Sequence, residues 1–405
     1  MLIKRIILII LFLASILNAE NKKDIEKEII KYVKKGSVVV ATLKGEKLFD
    51  YNSDEKYVPA STQKVIIALV AIDLFGLNYR FFTDIFVNNK NDILIKGYGD
   101  PFFISEDFNK IISQFKTTYK FSEINNIYLD DSFFEGDLTI PGSEYSLNPY
   151  EAPVSAISLN FNTILLKREN NKIISGEEET PMLEFTEKII KELNVQIKKN
   201  GDLTRINLGK NRDNPPLYFG EMLTYFLKKE GIKINGKIEK KLLDKEFKNL
   251  FRYYSDKTLY EILKAMLEHS NNFITNQIFL CIGSYNFKKP KTDLKSSTKF
   301  INEYLKEKYL LTNTGLVEGS GLSRDNFTTA NDLLKIMIKF FQYKELMRYN
   351  KIKNYYYKTG TLKDNNSIVG FYQSEKDNEW KIFIVLLNQV ERNRNKIVEI
   401  ILDNY

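Results

Sequence analysis

Apolar residues recur at helical spacing in "NKKDIEKEIIKYVKKGS", at Ile25, Ile29, Ile30 and Val33, and the pattern stops at Gly36, which predicts an opening helix. "SVVVATLKG" and "KLFDYNSDEKYVPA" then read as two strands around a turn at Lys44-Gly45, followed by a helix starting near Ser61. The end of the chain mirrors this opening. "NYYYKTGTL", "SIVGFYQS" and "WKIFIVLLNQV" read as three strands and "RNKIVEIILDNY" as a final helix, so both ends belong to one sheet-and-helix, α/β domain. From Phe81 to about Phe247 the texture changes to short apolar runs punctuated by turns, with helices expected at "MLEFTEKIIKELN" and "LYFGEMLTYFLKKEG". That stretch reads as a strand-rich insert. The expected division is 20–80 with 248–405 as one discontinuous domain and 81–247 as the inserted region.

The first residues carry Lys4 and Arg5, an apolar run from Ile6 to Leu17 and a small residue at Ala19, which is the layout of a secretory signal over 1–19. The run is shorter than the about 20 apolar residues of a membrane span, and an uncleaved amino-terminal anchor is the alternative. An exported chain with Cys281 as its only cysteine cannot form an internal disulfide and must rely on packing. One cysteine and one histidine, His269, leave little for a zinc site or a Ser-His-Asp triad, and His269 reads as a surface or helix-end residue. The net charge of +8 suits an anionic wall polymer or membrane surface, or simply a solvated lysine-rich exterior. No cluster of basic and aromatic residues points to nucleic acid.

Serine three before lysine occurs at Ser53, Ser61, Ser113 and Ser296. Ser53 and Lys56 fall in a polar turn, Ser296 and Lys299 in a lysine-rich loop, and Ser113 and Lys116 well inside a helix. Only Ser61 and Lys64 open a long apolar helix, where residues three apart are neighbours and unpaired N–H groups favour developing negative charge. A serine hydroxyl needs a base within hydrogen-bond reach, and a packed lysine can serve; a helix-capping serine is the plain alternative. Lys358-Thr359-Gly360 occurs once, in an aromatic strand, where a lysine and a hydroxyl can hold a carboxylate and a glycine lets a ligand approach the backbone. Ser270-x-Asn272 lies at a junction between two helical patterns.

The three motifs in this order, with "GYGDP" at 97–101, "APVSAISLNFN" at 152–162 and "VEGSGLSRDN" at 317–326, resemble the penicillin-recognising serine D,D-peptidases. The likeness is to their class C low-molecular-mass penicillin-binding proteins, the D-alanyl-D-alanine carboxypeptidase/endopeptidases. The resemblance implies a discontinuous transpeptidase-like (β-lactamase-like) domain, an antiparallel sheet sandwiched by helices, and a large insert. It further implies Ser61 as the acylated nucleophile, Lys64 as its base, Ser270 as proton relay and Asn272 as a substrate-amide ligand that also positions Lys64. Lys358 and Thr359 would orient the terminal carboxylate beside Gly360, and the N–H groups of Ser61 and Thr361 would form the oxyanion hole. Peptidoglycan stem peptides are the implied substrates and β-lactams covalent inhibitors, with no cofactor and no metal. A β-lactamase with the same motifs and a non-catalytic wall-binding scaffold are the other readings. Glu318 stands where the family usually has Asp, and the insert is expected to be shorter than in larger members.

Overall fold

The structure, a computed structural model, describes residues 22–118, 122–285 and 291–405, so the leader expected at 1–19 lies outside the described residues. The chain packs into two compact units. The first takes the chain up to Ile66, Leu305–Gly315 and Arg324–Tyr405; the second takes Ile67–Tyr304 and Leu316–Ser323. All of 81–247 falls in the second unit, which also takes 67–80 and 248–304.

The first unit is built on six strands: β1 (Gly36–Thr42), β2 (Lys47–Tyr51), β3 (Arg348–Asn350), β4 (Tyr355–Leu362), β5 (Asn365–Gln373) and β6 (Trp380–Leu387). Their order is β3-β4-β5-β6-β1-β2 and every pairing is antiparallel. β1 and β6 read as continuous apolar runs rather than alternating ones because both faces are covered. On one face Ile29 of the opening helix, Val33 just after that helix ends at Lys31, and Ile397, Val398 and Ile401 of the final helix (Arg394–Asn404) close over Val38, Val40, Phe383 and Val385. The Ala330–Phe340 helix packs against β1 and β6, burying Leu333, Met337 and Phe340. A sheet sandwiched by helices is thus what the chain ends form. β2 is shorter than expected: it stops at Tyr51, since Asn52 turns left-handed (φ 54°), and Tyr57 makes only an isolated bridge to Thr328.

The second unit holds a mixed five-stranded sheet in the order Ile238–Lys240, Ile127–Asp130, Ile93–Gly97, Phe82–Val87, Lys248–Tyr254. Helices Asp107–Thr118 and Asn214–Lys229 supply Phe108, Phe115, Phe219 and Phe226 to its core. A three-stranded sheet (Thr163–Glu169, Lys172–Ser175, Leu203–Asn207) and the helices Leu259–His269 and Asn272–Tyr285 belong to the same unit.

Candidate active site

Ser61 lies in a 3₁₀ turn, Ala60–Gln63, that feeds the α-helix Lys64–Phe75. Val65 to Ile72 of that helix are all buried, as a helix apolar on every side requires. The turn is tied by Thr62, whose Oγ1 donates to Pro59 O at 2.6 Å, and Ala60 is held at φ 50°, a region that costs a non-glycine residue energy. Lys64 Nζ and Ser61 Oγ are hydrogen-bonded at 2.8 Å. The serine therefore meets its lysine rather than standing as the N-cap of an α-helix.

The rival pairs separate on burial, not on helix position. Ser296 and Lys299, expected in a loop, lie near the start of a helix, Leu294–Tyr309, in which Ser296 N–H donates to Asp293 Oδ1 at 2.7 Å. Its lysine-rich surface hid Ile301 and Leu305, which are buried one turn apart. The Lys299 side chain is 74% exposed, whereas Lys64 is 0% exposed. Only the second lysine is withdrawn from water beside its serine.

Lys358, Thr359, Gly360 and Thr361 run along β4 in the same unit. Lys358 is buried, and its Nζ donates to Thr359 O at 2.9 Å. Burial drives its ammonium well below the ordinary lysine range, and the neighbouring cations Lys64, Arg348 and Arg394 add to this. Gly360 is explained by the chain itself rather than by a ligand: a Cβ there would meet Pro59 O at 2.7 Å and Ala60 Cβ and Ser61 N at 3.1 Å. The glycine lets the strand lie directly on the turn that carries Ser61. That turn is held from the sheet by Asn365 Nδ2, donating to Val58 O at 2.6 Å, and by Asn388, which exchanges two bonds with Val58.

Sequence reasoning missed Arg394. Its Nη1 donates to Thr361 Oγ1 at 2.7 Å, Gly360 O at 3.1 Å and Ser367 O at 3.2 Å, binding the end of β4 to β5. The available signal was a cation as first residue of the final helix, where the helix dipole disfavours positive charge.

Ser270 and Asn272 lie in the second unit. Helix Leu259–His269 ends at Ser270, left-handed at φ 54°, with His269 at the helix end as expected. Asn271 Oδ1 accepts from Ile274 N–H at 3.0 Å and so starts the next helix, and Asn272 Nδ2 donates to Tyr150 O at 3.0 Å. Ser270 and Asn272 line a cavity of about 630 Å³ with Tyr150, Phe161, Arg205 and His269. The other family segments brace this helix junction. The Ser155 N–H donates to Gln277 Oε1 at 3.1 Å and Gln277 Nε2 donates back to Ser155 O at 2.9 Å, and Gly319 N–H donates to Asn276 Oδ1 at 2.8 Å. Glu318 is fully buried, and its carboxylate accepts from the N–H groups of Ser320, Gly321, Leu322 and Ser323 at 2.6 to 3.3 Å. Cys281, one helical face further on, donates its buried thiol to Gly99 O at 3.5 Å.

The model of the D-Ala-D-Ala carboxypeptidase 3 (S13) family matches residues 17–352. The chain is 22% identical over 333 residues to D-alanyl-D-alanine carboxypeptidase DacB of Haemophilus influenzae, covering 71% of this chain and 67% of that protein. It is 20% identical over 344 residues to the D-alanyl-D-alanine carboxypeptidase of Actinomadura sp. (strain R39), covering 75% of this chain and 63% of that one, so the chain spans about two thirds of these relatives' lengths. The crystal structure of penicillin binding protein 4 (dacB) from Haemophilus influenzae superposes with a TM-score of 0.77 at 19% identity, over 93% of this chain and 98% of that one. The same protein has been solved in complex with a β-lactam. At this identity the superposition establishes the fold alone, a mixed α/β fold shared with that protein.

Proposed function

Because the chain belongs to the D-Ala-D-Ala carboxypeptidase 3 (S13) family, we propose that it is a serine-type D-Ala-D-Ala carboxypeptidase/endopeptidase acting on peptidoglycan stem peptides, with Ser61 as its nucleophile. The hydrogen bond of 2.8 Å between Ser61 Oγ and a fully buried Lys64 carries this reading. Ser61 Oγ bonds to the carbonyl carbon of the penultimate D-alanine while its proton passes to Lys64 Nζ. The N–H groups of Ser61 and Thr361 receive the developing oxyanion, and Lys358 and Thr359 orient the terminal carboxylate. Collapse breaks the C–N bond, and the departing amine takes its proton through Ser270 while Asn272 holds the substrate amide. Water then cleaves the acyl ester and regenerates Ser61. A β-lactam enters by the same attack but leaves the acyl group on the serine.

The division into a discontinuous peptidase domain, 20–80 with 248–405, and an inserted 81–247 belongs to the same reading. So does the periplasm as site of action, reached through the 1–19 leader, with a basic surface suited to peripheral contact with an anionic wall or membrane. Among the described residues no helix is long and apolar enough to cross a membrane.

Labelling with a fluorescent penicillin tests the nucleophile. The wild-type protein takes up the label, Ser61→Ala takes up none, and Lys64→Met acylates about 10³-fold more slowly with its fold intact. Undiminished labelling of Ser61→Ala would overturn the assignment.

A further inference from the structure

The outer edge of β4 is paired over only part of its length. β3 covers it through Arg348↔Tyr357, Tyr349↔Tyr356 and Asn350↔Tyr355, and among the described residues no strand continues beside Lys358–Leu362 on that side. A stretch of strand edge with no neighbouring strand leaves room for an extended peptide to lie alongside it. A peptide laid beside Thr361 and then Thr359 runs on into the end of β3, where Arg348 stands. A groove of about 410 Å³ opens there, lined among others by Thr359, Tyr357, Tyr355, Arg348 and Arg394. Its one carboxylate, Glu399, is held by Lys353 at 3.5 Å, and among the described residues neither arginine meets a carboxylate. Tyr355 and Tyr357, with ring centroids 5.2 Å apart, give the groove an aromatic wall.

We propose that this groove is a leaving-side subsite for a carboxylate-bearing peptide, the strand released when a cross-link between two stem peptides is opened, and that Arg348 selects it. The inference rests on the peptidase reading above and extends it to the substrate class. A free terminal D-alanine ends at the carboxylate that Thr359 meets and has nothing to place further along β4. A cross-linked peptide continues past that point, and its own carboxylates enter a groove with surplus positive charge. Arg348 thus bears on endopeptidase action far more than on carboxypeptidase action.

The test compares a purified cross-linked muropeptide dimer with a monomeric pentapeptide as substrates of the full chain, read by mass spectrometry. Arg348→Ala is expected to lower kcat/KM on the dimer about tenfold, mainly through KM, and Arg348→Glu further, with Arg348→Lys restoring part of it. Because Arg348 also acts on Lys358, D-alanine release from the pentapeptide and penicillin acylation shift as well, but by much less than the loss on the dimer, and the dimer rate falls more steeply with added salt. Equal losses on both substrates, unchanged dimer cleavage, or a wild-type protein that releases D-alanine but never opens the dimer would each overturn the subsite while leaving the peptidase reading standing. Absence of both acylation and D-alanine release from the wild type would instead remove the reading itself.

Discussion

Asp100, in the "GYGDP" segment, is a carboxyl group withdrawn from water. Its Oδ1 accepts from Phe102 N–H at 2.9 Å, yet burial, with Asp107 adding, pushes its pKa up from 3.8 to about 7. The unfolded chain releases this proton above about pH 4 while the folded chain keeps it until about pH 7. Asp100 therefore costs nothing below pH 4, and its penalty grows with pH to a few kcal/mol near neutrality. Asp100→Asn, which keeps the Oδ1 acceptor and does not titrate, is expected to match the wild-type Tm at about pH 3.5 and exceed it at about pH 7.5. Thermal melts across that range check it; parallel curves for the two proteins would refute the cost. At this scale sequence reading singled out the pair Ser61 and Lys64, which the structure brings within 2.8 Å, because a serine and a lysine three apart have a short, nameable spacing. Arg394 escaped it because its partners, Gly360, Thr361 and Ser367, are reached only after the sheet has formed. Glu318, where the family usually has Asp, is the acceptor that holds its loop closed, a role its position in the sequence alone did not show.

Among the elements, β4 and the 3₁₀ turn at Ala60–Gln63 behave as one piece, since Gly360 leaves no room for a side chain over Pro59 and Ser61. Gly360→Ala must push strand and turn apart by a few tenths of an ångström. The expected cost is about 1–3 kcal/mol of stability, but about 10²-fold in acylation rate because reacting groups displaced even slightly lose their alignment. Penicillin acylation kinetics set beside thermal melts would separate the two effects; a rate that falls no further than stability explains would make Gly360 a packing residue only. Apolar runs such as "SVVVAT" and "WKIFIVLL" made β1 and β6 legible, because strands buried on both faces carry few polar residues. The Leu294–Tyr309 helix was not legible, since two buried aliphatics among lysines give too weak a period.

In the whole molecule the turn that carries Ser61 depends on a core completed more than three hundred residues later. Ile397, Val398, Ile400 and Ile401 are all buried against the sheet, at about 1.5–3 kcal/mol each. Ending the chain at residue 393 removes about as much as a domain's whole stability. Such a truncated protein is expected to lose penicillin labelling and show a collapsed circular dichroism melt; normal labelling would mean the sheet stands without that helix. That the two ends share one sheet was readable from their matching textures. How the packing units divide was not, because helices such as Leu259–His269 and Asn272–Tyr285 bear the same apolar faces whichever neighbour covers them. Cys281 has a use of a different kind. Burial raises its thiol far above the ordinary range and hides it against Gly99, so an alkylating reagent reaches it when the packing of the Asn272–Tyr285 helix against Gly99 opens. As the single sulfhydryl of the chain, it makes alkylation rate a direct clock for local opening at the helix that begins with Asn272, with no engineered label required.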